Sequence, residues 1–264
     1  MNEGDKMVDN CSIKLIKVGE HTVPSPLAYF MKDFNKYEKL VFHVALINAG
    51  GEKIILNTGM PVDMRPLLQH WKNTDPGIKA VKFEEFNKAS YFSAMGFDPD
   101  SVDHVILSPL VSYATGNLDM FRNARIHFSK TGWEQIMNKN PLEVMPEKEI
   151  NFPDSILKPL VTDWWERVNL LEDEDSINDS IKVIRTGGHH FSSMLVIVDT
   201  EIGKVGLTDS FFTYKNLEGH IPIGVGVDLL ESINSIKIAE EKCDIIIPML
   251  DQNLTQKYHD GIIM

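Results

Sequence analysis

Two stretches decide the reading of this chain: Lys53–Met60, KIILNTGM, and His104–Phe121, HVILSPLVSYATGNLDMF. Each opens on a short apolar run, Ile54-Ile55-Leu56 or Val105-Ile106-Leu107, and breaks into polar residues with a turn former, Gly59 or Pro109. An apolar run of strand length bounded by turn residues is a buried strand that releases its next side chains at a sheet edge. Working outward, further strands are expected at Ser12–Val18, Val41–Ile47, Arg125–Phe128, Ile181–Arg185, Met194–Asp199, Val205–Thr208 and Asp244–Pro248. The Gly50-Gly51 turn joins the second of these to Lys53–Asn57. Helices are expected through Leu67, Leu68 and Trp71, and over Glu84–Ser93, Thr131–Met137 and Asp228–Glu241. The last carries Leu229, Leu230, Ile233, Ile236 and Ile238 at helical spacing. Two β-rich halves, each ending in helices, suggest sheet packed on sheet with helices outside, a pattern that other mixed α/β folds share, and the length suits one large domain over residues 1–264 or two fused halves. Asn138–Ser180, rich in Pro, acidic residues and Trp, reads as an excursion that caps a site or forms an interface.

Composition narrows the function classes. A chain of 264 residues that is 43% hydrophobic buries enough surface to fold without a disulfide or structural metal. A net charge of −12 disfavours nucleic acid and anionic membranes as partners. Cys11 and Cys243 are expected to be free thiols. The polar start MNEGDKMVDN is no secretory signal, and no apolar run is long enough to span a bilayer, so a cytoplasmic location is expected.

Five segments, taken in order, carry a resemblance. KIILNTGM is similar to the LVDTGM strand-turn of metallo-β-lactamase-fold lactonases, with Asn57 where Asp is usual. HVILSPLVSYATGNLDMF resembles the VILTHLHxDHAGG strand and metal loop. Arg185–Thr200, RTGGHHFSSMLVIVDT, resembles PTPGHTPGxxSVLVDT. Lys204–Asp228, above all TYKNLEGHIP, matches VLxxDAxYTxENxExxIPPGxxxD, and DIIIPMLDQNLTQKYHDGI at Asp244–Ile262 resembles DLIIPGHDPxxxxRYPDGI. The resemblance is to the N-acyl-homoserine-lactone lactonase branch. It implies an α/β four-layer αβ/βα sandwich of two mixed β-sheets, with a site at one edge of both.

The same correspondence removes the family's metal chemistry. Two divalent ions need several imidazoles and a bridging carboxylate. The three His positions of the first loop fall on Pro109, Val111 and Ala114, its Asp position on Tyr113, and the His of PGHD on Leu250. Only His189 and the bridging carboxylate, Asp209, survive. The resemblance therefore implies no metal and no other cofactor. The lactonases' carbonyl-polarising Tyr falls on Phe212.

His189 and Asp209 are expected to form a hydrogen-bonded pair, either as a general base with its orienter or as an inherited polar pair that satisfies itself. Tyr113 is expected to face the cavity, as a proton donor or as filler. Ser108 and Ser112 flank the degraded loop. His190 is expected to be partly exposed, and it, Ser112, Phe212, His220, Trp164 and Trp165 are candidate substrate contacts. His220 and His259 also read as surface residues, and at least one of the two Trp is expected at a ligand, a partner or the surface. Two functions follow as expectations. One is a metal-independent enzyme using His/Asp acid-base chemistry on a small ester, lactone or enolisable carbonyl compound. The other is a non-catalytic small-molecule-binding or regulatory protein. The partner is a small molecule in both, with a homodimer possible.

Overall fold

The longest strands nucleate the first sheet. β1 (Ser12–Pro24) and β2 (Tyr37–Ala49) pair antiparallel over their length, with one register shift between Lys17 and Gly19. A computed structural model describes residues 11–74, 81–83, 96, 98–138 and 148–263. Further along the chain come β3 (Glu52–Leu56), β4 (Val81–Phe83), β5 (His104–Ile106), β6 (Arg125–Ser129) and β7 (Val168–Leu171). They complete a seven-stranded sheet in the order β4-β1-β2-β3-β5-β6-β7, in which β3, β5, β6 and β7 run parallel. The second sheet holds β8 (Glu174–Asn178), β9 (Ile181–Arg185), β10 (Met194–Thr200), β11 (Gly203–Thr208) and β12 (Ile245–Pro248), in the order β12-β11-β10-β9-β8. The expected sandwich of two mixed sheets with helices is observed. Phe121, Phe128, Phe152, Phe211, Phe212, Ile54 and Ile55 are among its fully buried side chains. Each contributes about 1.5–3 kcal/mol of transfer free energy.

Two expectations need revision. Residues 168–178 belong to the sheets, with β7 and β8 each forming one edge strand. β8 reads EDSIN and β7 only VNLL, with Leu170 exposed, so no apolar alternation announced them. The helix observed at Leu229–Lys242 buries Ser232, Ser235, Ile236 and Ala239, and leaves Leu229, Leu230 and Ile233 exposed. At Ser232 the backbone of Gly188 lies against the helix. Gly188 has φ +80°, and a Cβ there would lie 2.7 Å from Ser232 Cα. β4 was not expected, and the helix expected at Glu84–Ser93 lies outside the described residues.

The topology places the site. Leu56, Ile106, Arg185, Thr208 and Pro248 end β3, β5, β9, β11 and β12 at one edge of the sandwich. The residues that follow them, including Asn57, Ser108, His189, Asp209 and Leu250, form the loops there. Cys11 and Cys243 are free, and burial foremost pushes each thiol up to about 11. Among the described residues no helix is long and apolar enough to cross a membrane.

Candidate functional site

Asp209 is the hub of the site. It is 3% exposed, a costly position for a carboxylate unless donors surround it. His189 Nδ1 donates to its Oδ2 at 2.8 Å, Ser193 Oγ donates to the same oxygen at 2.6 Å, and Ser108 Oγ donates to Oδ1 at 2.8 Å. Burial alone would push the carboxyl up. The hydrogen bond and charge of His189, with the two hydroxyls, outweigh it and hold Asp209 below the ordinary carboxylate value.

Each donor is itself fixed. Met194 N donates to Ser108 Oγ at 2.8 Å. Asn57 holds the Ser108 backbone from both sides, donating from Nδ2 to its carbonyl at 2.7 Å and accepting its N–H on Oδ1 at 2.8 Å. A carboxylate at residue 57 could accept but not donate. Asn57 also sits at φ +66°, a left-handed conformation that Asn tolerates better than most residues. The His189 ring stands edge-on to Phe212, with centroids 4.8 Å apart.

Side chains occupy the space in front of Asp209. Tyr113, half-buried, leans on Phe42 with ring centroids 5.0 Å apart. Burial first, then the charge of Asp209, holds its phenol well above the ordinary value, so it is neutral. Val18, Phe42, His43, Asn57, Pro109, Tyr113, Ala114, Asp209, Met249 and Leu250 enclose a cavity of about 10 Å³. Holding one water takes about 10–15 Å³, so no organic substrate enters.

His43 escaped the sequence reading because it lies inside the apolar run Val41–Ile47. A lone imidazole in such a strand was the available signal. Its Nδ1 donates to the Met249 carbonyl at 2.9 Å, and its buried Nε2 has no hydrogen-bond partner among the described residues. Burial holds this imidazole below its ordinary value. Ser193, also missed, could be recognised only through its contact with Asp209.

The other candidates divide clearly. His190 is buried at 4% exposure, which corrects the expectation of partial exposure. Its Nδ1 meets Ser192 Oγ at 2.7 Å and its Nε2 meets Asn151 Oδ1 at 3.2 Å, while Leu110 N donates to Ser192 Oγ at 2.7 Å. The backbone N–H of Ser192 also points at Nδ1, so His190 carries its proton on Nε2. Burial foremost brings its pKa down to about 3. This Ser192–His190–Asn151 array is enclosed and lines neither cavity described here. Ser112 is buried off the cavity. His220 caps the helix Tyr214–Gly219 and pairs with Glu240 at 2.8 Å on the surface. Trp164 packs against the core beneath Arg167, and Trp165 is 61% exposed. His259 is exposed beside Asp260. His220, Trp164 and Trp165 therefore stand apart from Asp209.

A larger cleft opens beside this centre. It has a volume of about 650 Å³ and is lined by Tyr29, Glu38, Lys39, Thr213, Tyr214, Lys215, Glu218 and Asp251, among others. Thr213 and Asp251 directly follow Phe212 and Leu250 in the chain, and Tyr29 Oη meets Thr213 Oγ1 at 3.1 Å.

The donor set does not fit a two-metal centre. Among the described residues no three His, Cys, Asp or Glu side chains converge on a common point, and hydroxyls and an imidazole already engage both oxygens of Asp209.

No protein-family model and no curated protein matches the chain. Solved structures do match. A quorum-quenching N-acyl homoserine lactone lactonase superposes with TM-score 0.74 at 19% identity, covering 96% of this chain and 98% of that one. A probable metal-dependent hydrolase from Staphylococcus aureus gives 0.71 at 16% identity, covering 93% and 91%. AidC, a dizinc quorum-quenching lactonase in complex with its product, gives 0.66 at 12% identity, covering 97% and 90%. The chain has the metallo-β-lactamase fold, and its structural neighbours are lactonases and hydrolases.

Proposed function

We propose, from the premise of a lactonase-like metallo-β-lactamase fold, that this chain is a non-catalytic small-molecule-binding protein whose former metal centre has become structural core. The observation that carries this reading is the cavity of about 10 Å³ at Asp209, beside a cleft of about 650 Å³. The first is too small for a substrate, and the second lies within the range that binds small organic ligands. Asp209 supports the same reading, because its donors are protein groups and no metal ion is needed to hold it ionised.

A second reading, metal-independent acid-base catalysis, is favoured by one observation. With Nδ1 donating to Asp209, a neutral His189 keeps its Nε2 lone pair, and its side chain is 14% exposed. In that role His189 would be the base and Asp209 its orienter.

One set of measurements separates the two. Elemental analysis of purified protein should find transition metal well below one ion per chain, and a chelator should leave Tm unchanged. Small lactones and esters should be screened by thermal shift and by turnover, on the wild type, His189→Ala, Asp209→Asn and Glu218→Trp. The last fills the cleft from its exposed rim. On the proposed reading, a binding compound stabilises the wild type but not Glu218→Trp, and any turnover follows only the folded fraction. A loss of about two orders of magnitude in turnover for folded His189→Ala would establish the catalytic reading instead.

A further inference from the structure

A second polar chain lies apart from Asp209, on the strands β3, β5, β6 and β7. His104 and His127 are buried, with 8% and 4% exposure, yet their rings meet directly: His104 Nδ1 lies 2.9 Å from His127 Nε2. At the far end Asn169 Nδ2 lies 3.1 Å from His127 Nδ1, and at the near end His104 Nε2 lies 3.3 Å from Glu52 Oε1. Glu52 Oε2 accepts from Asn178 Nδ2 at 2.8 Å, which ties the chain to β8 of the other sheet.

Proton counting fixes the direction of every bond. An amide nitrogen only donates, so His127 Nδ1 accepts and His127 carries its proton on Nε2. That N–H donates to His104 Nδ1, which leaves the His104 proton on Nε2, donated to Glu52. The donors run one way, Asn169 to His127 to His104 to Glu52.

We infer that this chain is a one-proton relay: a proton taken up at His127 Nδ1, as the Asn169 amide turns its oxygen inward, shifts the shared proton from His127 Nε2 to His104 Nδ1. One proton enters and one N–H···N bond reverses. His127 stays neutral as its other tautomer, and the positive charge appears on His104 against the Glu52 carboxylate. Only one proton fits between the two facing nitrogens, so the folded pair takes one where two separate histidines would take two. The charged groups around His127 agree with this placement. Burial first, then His104 and Arg125, with Asp175 of β8 opposing, bring its pKa down to about 3, so it hands the charge on. The consequence is an edge strand whose side-chain anchor reverses polarity with acidity.

The test is a titration of the full chain with ¹⁵N-labelled histidine, followed by NMR from neutral to mildly acidic pH. Both rings should respond at one shared midpoint, with His127 moving from its Nε2–H to its Nδ1–H tautomer. Glu52→Gln should lower the midpoint by about one unit, a tenfold loss of proton affinity, because the charge loses its partner. Asn169→Asp, at an exposed position, offers only acceptors and should raise it by about as much. Independent titration of the two rings, or a midpoint that neither substitution moves, would overturn the relay.

Discussion

At the residue scale, hydroxyls and an imidazole stand around Asp209 where the resemblance places cations. Ser108→Ala and Ser193→Ala each remove one donor from a carboxylate 3% exposed. Each should cost about 1–3 kcal/mol by chemical denaturation at neutral pH. The pH dependence has a definite sign. The folded carboxyl is held below its ordinary value, so its stabilisation is present above the unfolded carboxyl pKa and is lost as pH falls through the folded one. The gap between the wild type and a Ser193→Ala, Ser108→Ala double variant should therefore narrow as pH falls below about 4. Asn57→Asp tests the neighbouring clamp. It deletes the donor to the Ser108 carbonyl and should destabilise by about 1–3 kcal/mol in the same assay. An unchanged midpoint would mean that the loop holds itself.

At the scale of elements, the helix Leu229–Lys242 makes the sharpest case. Ser232→Leu would force a branched side chain into the buried space where Ser232 Oγ accepts from Ile223 N and should cost about 1–3 kcal/mol, whereas Leu230→Glu, on the exposed face, should stay within about 0.5 kcal/mol. Thermal melts of the two variants check both. A ranking of apolar residues suggests the reverse, because hydrophobicity does not report how closely a partner's backbone approaches. The same limit explains what else was legible. Met194–Thr200, an apolar run ended by a turn, and Ile181–Arg185, in which Ile and Val flank an exposed Lys182, could be read directly. β8, Glu174–Asn178, reads EDSIN and is a strand only because β9 pairs with it. That Pro109, Val111, Ala114 and Leu250 stand where the resembled motifs carry metal donors was visible in the sequence. The compensation by Ser108 and Ser193 was not, because a serine's role depends on a carboxylate brought in by another strand.

At the scale of the whole molecule, buried imidazoles set the response to acid. His43, His127 and His190 are each held below the ordinary histidine value, first by burial, with His127 and His190 at about 3. The unfolded chain binds these protons first, so stability is full above the unfolded histidine value and falls as pH drops from about 6.5 toward the folded values. Each histidine adds up to about 1.4 kcal/mol per pH unit to the slope. Urea midpoints across that window should fall steadily, and His127→Phe, whose ring cannot be protonated, should flatten the slope. Among the described residues β4 pairs with Gly19–His21 of β1, and that strand is met again at Ile13–Leu15 from far along the chain. Ile262 bridges Lys14, Ile263 N donates to the Ile13 carbonyl at 2.9 Å, and Gly261 passes so close to Leu15 O that no side chain fits between them. The edge of β1 at Ile13–Leu15 is thus closed by a segment far along the chain, a long-range contact with a high loop-closure cost. Until that contact forms, the Ile13–Leu15 edge presents open backbone groups with which another strand can pair.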